Sequence, residues 1–475
     1  MIQLPYDYFH DLTTAKITAL FDLSQPKIKH RQALHQRYNR KPSGNIDMMM
    51  SGSSGNILMP IERYIIHMAD GAFSGIDPQY NSNNEELQDA LDMMLRINSN
   101  TSKFTKTMKR FNITSASHYL AYEDKDNQFK YVQLPKETII IYDYDIEPNE
   151  IAGLIFSTEK NSEGKDISVV EVFEKNRRRK FNEKGEPVQF IDYINGVGTQ
   201  TYEKELGWQE LPIISFEEED AIGIFEPVLP LIDAIENMAK NAISMTDYND
   251  NAKLILKRIG LSTIDTHISD DAGFIRPNPA YQQEIQQLYE ALALVINDSE
   301  GDIKWLIKDV SYNGMIDFMR HLLSLILMLS MTPDLQDKNF GGAQSGRAMR
   351  YHMFATEQLG ATIFGIMENG YRKLIRLWCS GMNLRGHDFD WRDVTIKFTS
   401  NMPQDDIEKA RIITEGLRMN AVSHESAVRL YSQLIDLDAS AEVERVLAEI
   451  DEMRMPQPQT INRGTEEQNI QQENK

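Results

Sequence analysis

Gly341 and Gly346, separated by four residues in the stretch GGAQSGRA, have the spacing of a loop that wraps phosphates in backbone N–H groups. Arg347 and Ala348 follow, where a nucleotide site needs a lysine and a magnesium-binding hydroxyl, so the point charge and the metal ligand are both missing. The residues before it read as a helix and a polar loop rather than a buried strand, which favours a plain loop leading into a helix. Two oxygen- and nitrogen-rich clusters could hold a divalent cation by ligand type: Asp265, His267, Asp270 and Asp271, and His387, Asp388, Asp390 and Asp393. Neither has an HExxH motif or a carboxylate pair that assigns a reaction, and in a chain this acidic such groups arise in solvated turns. Cys379 follows Trp378 at the end of an apolar helical stripe, where a lone thiol is a small hydrophobe.

The elements that must carry these residues are read from composition and periodicity. The chain has 475 residues, 41% of them hydrophobic, enough for several folding units with true cores. With 50 basic against 71 acidic residues its formal charge is −21, so a tight nucleic-acid binder is not expected. One cysteine excludes an intrachain disulfide and a multi-cysteine zinc site and suits a reducing compartment. MIQLPYDYFHDL lacks the basic start and apolar run of a signal peptide, and the apolar run 322–331 is too short for a membrane span of about 20 residues.

Residues 1–110 are predicted mainly helical, at 13–21, 28–38, 60–69 and 85–95, with a flexible loop at 51–56. Short runs with β character, punctuated by turn residues, then predict a β domain with strands at 118–122, 129–134, 138–142, 150–157, 167–173 and 190–194. A long amphipathic helix is expected over 226–256, with Pro227 and Pro230 near its start. A small mixed module follows at 257–309, with strands at 274–275 and 303–307 around a helix at 281–296. Helices at 313–330 and 346–379 flank MTPDLQDKNFGGAQS, and a strand is expected at 394–398. Helices over 404–454 are expected to open at Asn401 with Pro403, at Ser423 and at Ser440, before a disordered tail at 456–475. The fold class is α+β.

The segment MTPDLQDKNFGGAQSGRAM, residues 331–349, resembles the portal proteins of siphovirus-type phages of Gram-positive hosts, in which a Thr/Ser-Pro-Asp turn, an Asn-Phe-Gly-Gly stretch and a Ser-Gly-x-Ala start the tunnel loop and the helix behind it. LPIISFEEED (211–220) with LIDAIENMAKNAISMTDYND (231–250) resembles the run into the family's first stem helix. HRQALHQRYNRKPSG (30–44), NILMPIERYIIHMADGAFSGIDPQY (56–80) and ASHYLAYEDKDNQFKYVQLPKETIIIYD (116–143) resemble its wing. Ala116 stands where many relatives have glycine, and 255–310 matches weakly.

The resemblance implies a portal fold: wing 1–223, first stem helix 224–256, clip 257–310, second stem helix 311–330, tunnel loop 331–345, long wing helix and strand 346–403, crown 404–455 and tail 456–475. It implies a non-enzymatic homo-oligomeric ring, usually of twelve subunits, at one capsid vertex of the virion, assembled in the host cytoplasm. Double-stranded DNA would pass through it during packaging and ejection. The implied partners are the large terminase subunit, a head-completion or adaptor protein, and the major capsid and scaffolding proteins; no cofactor and no membrane are implied. Asp334, Gln336, Asp337, Lys338 and Asn339 would meet DNA from a loop hinged at Pro333, Gly341 and Gly342. Asp233, Glu236 and Lys240, with Asp247 and Asp250, would form the polar face of the first stem helix, and Leu322, Leu325 and Met328 would be buried between subunits. The competing readings are a head-tail adaptor without a DNA channel and a nucleotide-dependent DNA-processing enzyme.

Overall fold

The computed structural model describes residues 1–40, 58–145, 149–160, 164–194, 197–220, 222–250, 253–257, 267–269, 275–283, 302–306, 312–335, 353–401, 406–434 and 439–454. The chain divides into two compact units, one of residues 1–334 with 356–401 and one of 335–355 with 402–475.

The first unit opens with a short strand β1 (Ile2–Gln3) and the helix α1 (Thr14–Tyr38), whose N-terminus is capped by Thr13. α1 was expected as two pieces; it runs unbroken through Pro26, which faces solvent, so the carbonyl freed one turn earlier can be hydrated. Its buried residues, Ile17, Leu20, Phe21, Ile28 and Leu34 among them, recur at the helical period. Next come α2 (Ile61–Ser74), β2 (Gln79–Ser82), α3 (Glu85–Ile97) and α4 (Asn100–Thr114).

Strands β3 (Ala116–Glu123), β4 (Phe129–Gln133), β5 (Thr138–Tyr142), β6 (Glu150–Lys160), β7 (Asp166–Phe173), β8 (Arg177–Asn182), β9 (Phe190–Ile194), β10 (Val197–Thr201), β11 (Glu203–Glu205) and β12 (Ile213–Glu217) form the expected β domain. One sheet has the order β1-β5-β6-β7-β8-β11, antiparallel except where β1 joins β5, and another has the order β12-β3-β4. The first sheet buries Ile139, Ile141, Leu154, Val170 and Val172 against Ile17, Leu20 and Phe21 of α1. That burial sets the register, because a one-residue slip would turn this apolar face to water.

A 3-10 turn at Glu226–Val228 leads into α5 (Leu229–Asp250). α5 is shorter than expected: residues 253–257, KLILK, form a strand instead, a segment whose long apolar side chains suit a sheet as well as a helix. That strand, β13 (Lys253–Lys257), pairs with β16 (Asp302–Leu306), and β14 (His267–Ser269) pairs with β15 (Ile275–Pro277). Of the helix expected at 281–296, residues 279–283 are helical and the remainder lies outside the described residues. α6 (Tyr312–Leu329) matches its expected span, and α7 (Phe354–Asn383) begins and ends later than the helix expected at 346–379, after a turn at Met353; residues 346–352 lie outside the described residues.

Tyr371 of α7 sits fully buried among the rings of Tyr80, Phe104, Phe216 and Phe398, which joins α7 to the helices and sheets before it. β17 (Val394–Lys397) pairs antiparallel with β2. The Asn401 backbone N–H donates to the Ala72 carbonyl at 2.7 Å, and the helix start expected there with Pro403 lies outside the described residues. In the second unit α8 (Asp406–Arg418), α9 (His424–Leu434) and α10 (Ala439–Arg454) lie in sequence. Ser423 caps α9 as expected, accepting from the Ser426 N–H at 3.1 Å, whereas α10 begins before Ser440, which is therefore not its cap. The tail at 456–475 and the loop at 51–56 lie outside the described residues. Among the described residues no helix is long and apolar enough to cross a membrane.

Candidate functional site

The pair α5–α6 flanks the small β module in the sequence. Its root is apolar: Ile232 and Ile235 of α5 and Leu322 and Ile326 of α6 pack with Leu34, Ile65, Ile66, Ile113, Phe225 and Val228. Leu322 is thus buried within its own chain, which corrects the expectation that it lies between subunits; it falls on the helix stripe that faces α5. Leu325 is half-buried and Met328 is exposed.

The same root is locked by ions. Arg37 and Arg40, at the end of α1, meet Glu62 of α2 and Asp233 and Glu236 of α5. Arg40 grips Glu236 with both arms, at 2.8 and 3.0 Å, and reaches Glu62 at 2.8 Å. Arg37 bonds Glu62 and lies 2.6 Å from Asp233. The Met59 backbone N–H donates to the same Glu236 oxygen at 3.1 Å, so one carboxylate holds both the residue before and the residues after 41–57. Glu236 is only 6% exposed, which corrects the expectation that it lines a polar, solvent-facing wall. The reason is visible in the spacing: Glu236 falls four residues after Ile232 and three before Ala239, on the buried stripe. Asp233 is exposed but paired with Arg37, and Lys240 is half-buried; the side chains of Asp247 and Asp250 lie outside the described residues.

A second ionic cluster joins α1 to the sheets. Arg31, 2% exposed, donates to the Thr138 carbonyl at 2.6 Å and lies 3.0 Å from Glu217, which also bonds Lys27. Burial raises the Glu217 carboxyl, but Arg31, Lys27 and His118 outweigh it and hold the group below its ordinary range. His118, fully enclosed beside it, is pushed down to about 3 by burial, against the pull of Glu217 and with the help of Arg31, Lys27 and Arg110.

The start of the expected tunnel loop is tightly built. α6 ends in a Schellman motif: the Thr332 N–H donates to the Leu327 carbonyl at 2.9 Å and the Met331 N–H to the Met328 carbonyl at 3.2 Å. Met331 holds the left-handed position, φ 53°, that glycine normally takes. The Thr356 hydroxyl on α7 donates to the Met331 carbonyl at 2.7 Å, and Pro333 is buried. Pro333 was expected as a free hinge; it belongs instead to this anchored turn. Asp334 lies close enough to raise the Tyr64 hydroxyl pKa, after burial. Gln336, Asp337, Lys338, Asn339, Gly341 and Gly342, with the phosphate-loop spacing at 341–348, lie outside the described residues.

Of the two candidate metal clusters, His267 is exposed on β14, and Asp265, Asp270 and Asp271 lie outside the described residues. In the other, His387 stacks on Phe389 and pairs with Glu86 at 3.1 Å, while Asp390 accepts from the Arg392 N–H at 3.0 Å. Among the described residues no group of three or more histidine, cysteine or acidic residues is placed to hold a metal ion. Cys379 is buried, and burial pushes its thiol up to about 12, as a core position requires.

The family described as phage portal protein, SPP1 Gp6-like, matches residues 28–454, a span that takes in the Arg37–Arg40 cluster, the α5–α6 pair and the described helices α8, α9 and α10 of the second unit. The chain belongs to that family. It is a mixed α+β portal protein, a structural, non-enzymatic component of the virion. Solved structures similar to this portal protein include the neck of an empty gene transfer agent particle computed with C6 symmetry, at 11% identity and a TM-score of 0.44, covering 84% of this chain and 96% of that one. Another is the neck of the native particle computed with C12 symmetry, at 12% identity and a TM-score of 0.43, covering 84% and 95%. The virion of the native particle also matches, at 11% identity, a TM-score of 0.40 and the same 84% and 96% coverage. No curated protein matches the chain.

Proposed function

We propose that this portal protein forms a ring, of twelve copies in the capsid, through which double-stranded DNA is packaged and ejected by a siphovirus-type phage of a Gram-positive host. The observation that carries the reading is the α5–module–α6 arrangement inside the span matched by the family, with Phe318 and Met328 left exposed on α6. One chain does not bury these side chains; neighbours in a ring would. In this reading residues 1–223 and 346–403 are the wing, α5 and α6 the stem, 257–310 the clip, 331–345 the tunnel loop and 404–455 the crown. The clip would face the large terminase subunit and then the head-completion protein, and the outer surface the major capsid and scaffolding proteins. The net charge of −21, multiplied around a ring, would keep the polyanion sliding rather than adhering.

Asp334, Gln336, Asp337, Lys338 and Asn339 would touch passing DNA weakly, one cation against two carboxylates, with Gly341 and Gly342 as the flexible end. Because the other end is anchored by Thr356 and the Schellman turn, motion would be confined beyond Pro333. Lys338→Glu and Gly341→Pro should each assemble normally yet lower the amount of DNA packaged by reconstituted heads. Wild-type packaging by both variants would remove the loop from the mechanism.

A further inference from the structure

The two flanks of α6 differ in shape and are mainly apolar, with Arg320 at the edge of one and the exposed His321 within the other. On one flank Ile316, Met319 and Leu323 join Pro60, Tyr64 and Ile235 around an open groove of about 570 Å³. On the other, Phe318 is 52% exposed and Met328 63% exposed, with Leu325 half-buried between them. An advance of about 100° per residue sets Ile316 and Leu323 roughly 160° around the helix from Phe318 and Leu325, with the buried Leu322 and Ile326 on the arc between. The groove is tied to the ionic cluster. Its floor residue Ile235 adjoins Glu236, and its rim at Met59 is held by that carboxylate through the backbone N–H.

We propose that copies of this chain join head to tail through these flanks, the Phe318–Leu325–Met328 stripe of one copy seating in the groove of the next. This rests on the ring reading above and gives it a specific contact. A convex stripe and a concave groove on opposite sides of one helix cannot satisfy each other within a chain. A two-fold pairing would bring like flanks together and leave the other flank of each copy bare. The heterologous arrangement uses both flanks of every copy, and it closes when the rotation per step divides a full turn. It also moves the contact away from Leu322, which the chain buries by itself.

Cysteine crosslinking tests this, because the sole native thiol, Cys379, is buried. Phe318→Cys, Leu325→Cys or Met328→Cys is combined with Tyr64→Cys or Ile316→Cys in the full chain, oxidised with copper phenanthroline and run on denaturing gels without reductant. At least one pair should give a ladder of multimers while every single variant stays monomeric on the gel. A dimer from a single variant would show like flanks meeting and overturn the proposal. No ladder from any pair, in preparations that form rings by electron microscopy, would overturn it while leaving the ring reading intact; absence of rings in the wild type would overturn both. An intrachain bridge between Ile46→Cys and Tyr64→Cys without a ladder would assign the groove to residues 41–57 of the same chain and likewise overturn it.

Discussion

Replacing Glu236 by alanine removes the acceptor of two charge-assisted bonds from Arg40, at 2.8 and 3.0 Å, and of the Met59 N–H at 3.1 Å. Bonds to charged groups contribute about 1.5–3 kcal/mol each. Arg40 keeps Glu62 and its side chain is 26% exposed, so part of that loss is recovered by the remaining partner and by water. The expected cost is about 3 kcal/mol, at the lower edge of what breaking a buried pair takes. Glu236→Gln retains an acceptor for Met59 but no charge for Arg40, and should cost roughly half as much. Urea unfolding followed by tryptophan fluorescence reads the magnitude, and hydrogen exchange at residues 59–62 and along α5 locates it. A cycle with Arg40→Met and Glu236→Met should give a coupling of at least about 1.5 kcal/mol. A loss below about 1 kcal/mol for Glu236→Ala, the range of a surface pair, would refute the claim that this carboxylate locks the root of the α5–α6 pair.

His118 is held to about 3 in the fold against 6.5 when free, so its contribution is complete above pH 6.5 and is lost as pH falls toward 3. By pH 5 the loss is about 2 kcal/mol, and His118→Asn should flatten this part of the pH–stability profile; an unchanged slope would exclude His118 as its source. Met331→Gly should stabilise the protein by about 1 kcal/mol, because the exposed side chain gives up little and the left-handed backbone becomes unstrained; a lower melting temperature would contradict this. Gly370→Ala should destabilise by about 2 kcal/mol although alanine is the better helix former, since its Cβ would enter the space of the buried Phe216 ring; a gain in thermal stability would show that the ring can move aside.

Short runs of β-branched apolar residues made β5 and β7 readable, and α6 was readable from an apolar stripe at the helical period. β8, RRRKFN, was hidden because consecutive cations look like a solvated run. It is a strand because its charges are neutralised across the sheet, Arg178 by Glu171 and Lys180 by Glu159, and because Arg178 lies over the Phe173 ring. α4, NTSKFTKTMKRFNIT, was hidden by threonine and asparagine; tertiary contacts override its weak propensity, burying Phe104, Met108 and Phe111 and bonding Thr107 to Tyr119. The ionic root of α5 carried a signal that could have been used: Glu62 precedes Ile65, Ile66 and Ala69 at helical spacing, so a carboxylate on that stripe demanded a buried cation. Arg37 and Arg40, one turn apart at the end of α1, supply it, but pairing across 196 residues cannot be read from spacing within a helix.

The proposed ring is built by the α5–α6 pair. Purified wild-type protein imaged end-on by negative-stain electron microscopy should show closed rings with an open axial hole, and class averages should resolve a fixed number of repeating subunits. Particles without an axial hole at every concentration tested would contradict it and leave a structural adaptor without a DNA channel as the better reading.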